Sequence, residues 1–168
     1  KVNVSDLVLH KELLYLATSA GLIQYDPFFG GYKIIDSWQA NSIYIDKKED
    51  KILIAGALGI RVLQLSTFKI LETFEQSLAS VLSIEKSDKP ANCDFEYWIG
   101  SADGAVRLSY FDGFGFTKKY GEDAGIFKGL CRPFYLGKHL VFGSSEGLLR
   151  FVNEEEMKTT MKVSAEEA

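Results

Sequence analysis

The sequence predicts an all-β chain in which one four-stranded antiparallel unit is repeated four times. Three observations predict it. One short phrase recurs without a gap as Leu14–Tyr25 (LYLATSAGLIQY), Ile52–Leu63 (ILIAGALGIRVL), Tyr97–Leu108 (YWIGSADGAVRL) and Leu140–Phe151 (LVFGSSEGLLRF). Its glycines, Gly21, Gly59, Gly104 and Gly147, fall in register at spacings of 38, 45 and 43 residues, and self-similarity at such a period means a repeat architecture. The apolar residues run contiguously or alternate, as in strands rather than helices, and a 13% aromatic share suits strands.

Each phrase opens on three large apolar residues: Leu14, Tyr15, Leu16; Ile52, Leu53, Ile54; Tyr97, Trp98, Ile99; Leu140, Val141, Phe142. Such runs read as strands buried on both faces. Two small residues follow (Ala17-Thr18, Ala55-Gly56, Gly100-Ser101, Gly143-Ser144), which would let neighbouring sheets approach closely. A two-residue tip and the glycine then turn the chain, the glycine supplying a positive φ that other residues reach only with strain. The second apolar run completes a β-hairpin.

Weaker strands flank each hairpin. Ahead lie Leu7–Leu9, Ile43–Ile45, Val81–Ile84 and Cys131–Leu136; behind lie Tyr32–Ile35, Lys69–Phe74, Phe116–Tyr120 and Thr159–Val163. The acidic run after Asn153 also reads as a helix start, and the strand is preferred there. Four antiparallel strands in about 40 residues, repeated, make a β-propeller segment of about four four-stranded blades. The blades are expected at 1–38, 39–76, 77–121 and 122–163, with 164–168 a frayed tail and Asp88–Phe95 an insertion. The chain opens on Lys1 and is expected to be a piece of a longer protein. A leucine-rich solenoid needs a shorter repeat with an asparagine ladder, and an immunoglobulin-type sandwich would not repeat one hairpin in register.

Composition narrows the function. The 168 residues carry a net charge of −4 with Lys and Arg scattered, so the basic footprint of a nucleic-acid binder is missing. No apolar stretch approaches a membrane span, and no membrane contact is expected of this segment. Cys93 and Cys131 lie 38 residues apart without zinc-type spacing, so no metal site is expected and two unpaired, half-buried thiols are preferred over a bridge.

The phrases Tyr97–Leu108 and Leu140–Asn153 (LVFGSSEGLLRFVN) resemble the repeats of two-component regulator propellers, which run aromatic-apolar-Gly-Thr/Ser-x-x-Gly-Leu-apolar-Arg-aromatic-Asp/Asn. The resemblance covers most of residues 4–153. Ala17 and Ala55 replace the first family glycine, and Ala105 replaces the leucine after the second. Neither the Trp-Asp nor the Gly-His pair of WD-type propellers is present. The resemblance implies the extracytoplasmic, periplasmic sensory part of a bacterial hybrid histidine kinase or related signalling protein, recognising a ligand such as a carbohydrate fragment.

No catalytic constellation is present, and no cofactor is expected. Gly113-Phe114-Gly115 lacks the third glycine and the helix of a dinucleotide fingerprint and reads as a hairpin turn. His10 and His139 both precede a hairpin and read as solvated turn histidines; Trp98 reads as core. Function is therefore sought in loops. One end of the blades collects the hairpin tips and the crossovers between blades, where Trp38, Gln39, Asn41, Asp103, Glu122, Asp123 and Glu146 offer aromatic, amide and carboxylate groups suited to a carbohydrate or peptide. The other end carries two aromatic turns, Pro27–Tyr32 and Phe111–Phe116; Phe28, Phe29, Phe114 and Phe116 would be contact points if exposed. The expected function is non-enzymatic ligand recognition through the crossover end. The alternative is a structural or protein-interaction propeller with no small-molecule ligand, joined to other blades or a second chain through open blade edges.

Overall fold

The structure is a computed structural model; it describes residues 1–87, 92–122, 132–136, 139–144, 147–153 and 156–162. Its strands are β1 (Val4–His10), β2 (Leu13–Thr18), β3 (Gly21–Tyr25), β4 (Tyr32–Asp36), β5 (Ser42–Asp46), β6 (Lys51–Gly56), β7 (Gly59–Gln64), β8 (Ile70–Glu75), β9 (Ser83–Lys86), β10 (Phe95–Ser101), β11 (Gly104–Phe111), β12 (Phe114–Tyr120), β13 (Arg132–Leu136), β14 (His139–Ser144), β15 (Gly147–Asn153) and β16 (Glu156–Lys162). They form four antiparallel four-stranded sheets, each in sequential order. This is the all-β, four-sheet class the repeat requires. The chain divides into two compact units, Lys1–Val81 with the first two sheets and Leu82–Ala168 with the last two.

Every repeated phrase forms the central hairpin of its sheet: β2–β3, β6–β7, β10–β11 and β14–β15. The glycine is required twice over. At Gly59 φ is +127° and a Cβ would run into the Phe74 carbonyl of β8; at Gly104 φ is +141° and the obstacle is the Tyr120 carbonyl of β12. The small residues before the tip have a more specific task than closeness of sheets. Thr18 donates its hydroxyl to the Gly21 carbonyl at 2.7 Å, and the Ser101 hydroxyl is shared between the Asp103 carboxylate at 2.7 Å and the Gly104 carbonyl at 3.0 Å, locking each hairpin. Gly56 takes that place in the second sheet, where a Cβ would collide with Gln39.

In the first unit, the core is made by one face of each sheet. Tyr15, Ala17 and Leu22 of the first sheet pack with Ile43, Ile52, Ile54 and Leu63 of the second. Asp6 ties the sheets together by accepting from the Ile43 N–H at 3.1 Å. Burial of these apolar faces is the main favourable term holding the two sheets.

In the second unit, Trp98 is fully buried, 5.5 Å from the Tyr120 ring and 5.4 Å from Phe142 of the fourth sheet. The reading of Trp98 as core is correct. Beside it, Glu96 and Arg107 form a buried ion pair at 2.6 Å. Register explains the pair: Trp98 faces Arg107 and Glu96 faces Ser109 across the hairpin, so the two charges meet on a diagonal of one sheet face. Burial alone would lower the Arg107 pKa, but hydrogen bonding and attraction to Glu96, aided by Tyr120, raise it on balance.

Some strand limits differ from expectation. The third sheet begins at Ser83 rather than Val81; Leu78 and Val81, in the crossover before it, are both buried. The last strand is present, but starts at Glu156 rather than Thr159. β12 starts at Phe114 rather than Phe116, so the expected Phe111–Phe116 turn shrinks to Asp112-Gly113, both with positive φ. Residues 88–91 of the expected insertion, the expected tail 164–168 and Cys131 lie outside the described residues.

Candidate functional site

Within the first unit the crossover at 37–41 folds over the hairpin tips. The Ala40 N–H donates to the Thr18 carbonyl at 3.1 Å and the Asn41 N–H to the Ala55 carbonyl at 2.8 Å. The next crossover closes on the same tip, with Gln76 donating to Leu58 and Leu78 to Ala57. Crossovers and tips thus share one end of the sheets.

Trp38 is held there on three sides. Its indole N–H donates to the Gly59 carbonyl at 3.2 Å, its backbone N–H to Asp36 at 2.8 Å, and the Arg61 guanidinium lies 4.4 Å from its ring centre. Arg61 is fixed in turn by Asp36 at 3.1 Å and by Thr73 at 3.1 Å. A cation over an indole face contributes up to about 2 kcal/mol when shielded from water.

Gln39 and Asn41 stand beside Trp38, but their groups are largely committed to the fold. Gln39 accepts from the Ala57 N–H at 3.1 Å and donates to the Asn41 side chain at 2.8 Å. Next to them is an open groove of about 540 Å³, lined by Trp38, Ala57, Leu58, Glu75, Gln76 and Ser77. Sequence reading found Trp38 and missed the rest, which come from a tip and from the end of β8. An indole edge, an exposed leucine, a carboxylate, an amide and a hydroxyl can seat an apolar face and hydrogen-bond hydroxyl or amide groups around it.

The other predicted residues are placed separately. Asp103, in the second unit, accepts from the Ser101 hydroxyl at 2.7 Å and pairs with Lys119 at 2.7 Å, so both oxygens are engaged. Glu122 is exposed. Asp123 and Glu146 lie outside the described residues.

The aromatic turns are exposed. Phe28 and Phe29 sit on a stiff loop in which the Asp26 side chain accepts from both their N–H groups, and Phe29 is 91% accessible. Phe114 and Phe116 are also exposed, Phe116 meeting Phe111 edge-on at 5.9 Å.

Of the two histidines, His10 departs from expectation. His139 is exposed at the start of β14, but His10 ends β1 and is 7% accessible. The turn after it, Lys11-Glu12, is made of two non-glycine residues at positive φ, so strand pairing continues through His10 to Leu13. Burial, then Lys47 and Lys11, lower its pKa. Cys93, half-buried and free, has its thiol pKa raised by burial and by Glu96. Among the described residues no three His, Cys, Asp or Glu side chains gather as a metal site would require.

No protein-family model matches the chain, and no curated protein sequence matches it. Solved structures do. Two of them, described as the extracellular domain of the one-component or hybrid two-component system BT4673 of B. thetaiotaomicron, align with 96% of the chain at a TM-score of 0.70 and 12% identity. The chain spans 22% of the length of those chains. At that identity the likeness shows the fold: an all-β array of four-stranded antiparallel sheets.

Proposed function

We propose that this chain is a segment of a longer β-propeller in the extracytoplasmic sensory part of a bacterial two-component-type signalling protein, working by binding rather than catalysis. The observation that carries the reading is an inequality between two equivalent faces. In the second sheet the face bearing Ile43, Ile45, Ile52, Ile54 and Leu63 is covered by the first sheet. Its equivalent in the first sheet bears Leu7, Leu9, Leu14, Leu16 and Tyr25, extended by Ile34 and Tyr32 across the register. Among the described residues the outer strands of that face lie open: Leu7 is 56% accessible where Ile43 is 5%. A sheet with the same repeat is the partner its shape and chemistry fit, as the first sheet fits the second. Likeness to a much longer extracellular domain supports the same reading and a location outside the cytoplasmic membrane.

Ligand or partner recognition is assigned to the crossover end. Trp38 supplies a flat apolar surface, and Glu75, Gln76 and Ser77 supply polar groups around it, a set suited to a carbohydrate fragment or a peptide. Asp103, Asp123 and Glu146 remain candidates contributed by the later repeats. The test is a signalling assay on the parent protein with Gln76→Ala and Glu75→Ala, residues at the groove rather than in the core. Loss of ligand response with unchanged expression supports the assignment; an unchanged response by both variants refutes it.

A second reading, a protein-interaction propeller, is favoured by the exposure of Phe28, Phe29, Phe114 and Phe116. Large aromatic side chains held out on a hydrogen-bonded loop, as Phe28 and Phe29 are, or on an edge strand, as Phe114 and Phe116 are, bury area on contact at little entropic cost.

A further inference from the structure

We propose that the end of the first unit opposite its crossovers is a binding site for a small carboxylate carried on a flat apolar body. The turns after β1, β5 and β7 enclose a cavity of about 410 Å³ there. Leu13, Tyr15, Leu65 and Phe68 give it an apolar wall, with the Tyr15 and Phe68 rings 6.2 Å apart and tilted. Lys11 and Lys47 line it as well, exposed and making no ion pair among the described residues.

His10 is the second, independent observation. It lines the cavity, is more than nine-tenths buried, and its Nδ1 has no hydrogen-bond partner. The equivalent residue of the second sheet, Asp46, is buried too, but its carboxylate accepts from the Glu49 N–H at 3.1 Å. A buried polar atom left unsatisfied in one repeat and satisfied in the next calls for an explanation, and an unfilled binding site is one.

The charge around His10 selects the sign of the ligand. The influences on its titration are burial and the two lysines, and no carboxylate is among them. The cavity's own acid, Asp50, is occupied, accepting from the Ser66 N–H at 2.9 Å and the Ser66 hydroxyl at 2.6 Å. Glu12 and Glu49 belong to the same turns without entering that balance. Among the charged lining residues Lys11 and Lys47 outnumber Asp50, so a carboxylate between the two lysines answers the remaining positive charge, and its body answers the aromatic wall. The backbone agrees: of the residues that line the cavity, Lys11, Asp50 and Phe68 hold positive φ. Strained backbone persists where the surrounding structure imposes it and clusters at ligand clamps.

The experiment is titration of the intact chain with sodium benzoate, followed by the imidazole NMR signals of His10 with exposed His139 as internal control. The expected result is saturable movement of the His10 signals with a Kd of about 1 mM, an upward move of the His10 titration midpoint on binding, and about tenfold weaker binding in Lys47→Ala. Benzyl alcohol, which keeps the ring and lacks the charge, is expected not to compete. Unmoved His10 signals, equal binding of benzyl alcohol, or undiminished affinity in Lys47→Ala would each overturn the proposal. None of these outcomes bears on the crossover groove, which lies at the other end of the sheets.

Discussion

Replacing Arg107 by methionine strips the buried Glu96 of its counter-charge, and the consequence can be sized. The two side chains are 8% and 7% accessible and 2.6 Å apart. Removing one partner of such a pair costs about 3–5 kcal/mol, because the remaining charge stays buried and uncompensated. That is a large part of the 5–15 kcal/mol expected for a whole domain. Removing both charges with apolar residues of similar volume is often neutral or stabilising. The Glu96→Leu/Arg107→Met double variant is therefore expected to be more stable than Arg107→Met alone. The assay is urea unfolding at pH 7, read by Trp98 fluorescence in a Trp38→Phe background so that the second unit reports alone. An Arg107→Met penalty below about 1 kcal/mol, or a double variant no better than the single, would refute the claim that this pair is desolvated and energetically coupled.

Three further outcomes follow from the same geometry. Gly59→Ala should destabilise the first unit by about 1–3 kcal/mol or more, since alanine resists φ +127° and its Cβ meets the Phe74 carbonyl; Trp38 fluorescence during unfolding checks it. His10 titrates below its usual value in the folded chain, so the unfolded chain binds protons first. Its contribution to stability is then whole above about pH 6.5 and declines as pH falls below it, and His10→Gln should flatten that part of the stability–pH curve. Phe28→Ser and Phe114→Ser should leave unfolding midpoints nearly unchanged, these side chains being exposed; reduced pull-down of a protein partner by both variants would favour the interaction reading.

The hairpins were legible because their signal is local: a glycine forced to positive φ by the next strand's carbonyl recurs in register with its apolar runs. Edges were less legible. Val81 is apolar and buried although it lies outside β9, and an apolar pattern does not separate a buried crossover residue from a paired one, so the expected strand starts two residues early. His10 looked like a turn residue because Lys11-Glu12 carries none of the Gly, Asn or Asp chemistry that usually marks a tight hairpin turn. Glu96 is the one charged residue of β10, and its pairing with Arg107 follows only from the register of β10 against β11. At the crossover, Trp38, Gln39 and Asn41 were placed by topology alone. That Gln39 clamps the Ala57 N–H while Trp38 edges a groove depends on tertiary distances no local pattern encodes.

The uncovered face of the first sheet can be tested most directly by light scattering on the chain across a dilution series, with Leu7→Asp/Ile34→Asp beside it. Exposed Leu7 and Leu9 on β1 and Tyr32 and Ile34 on β4, all on one face of the first sheet, predict concentration-dependent association above the 18.8 kDa monomer, relieved in the double variant. A wild-type chain that stays an 18.8 kDa monomer at every concentration would contradict the claim that this face is built to be covered by another sheet.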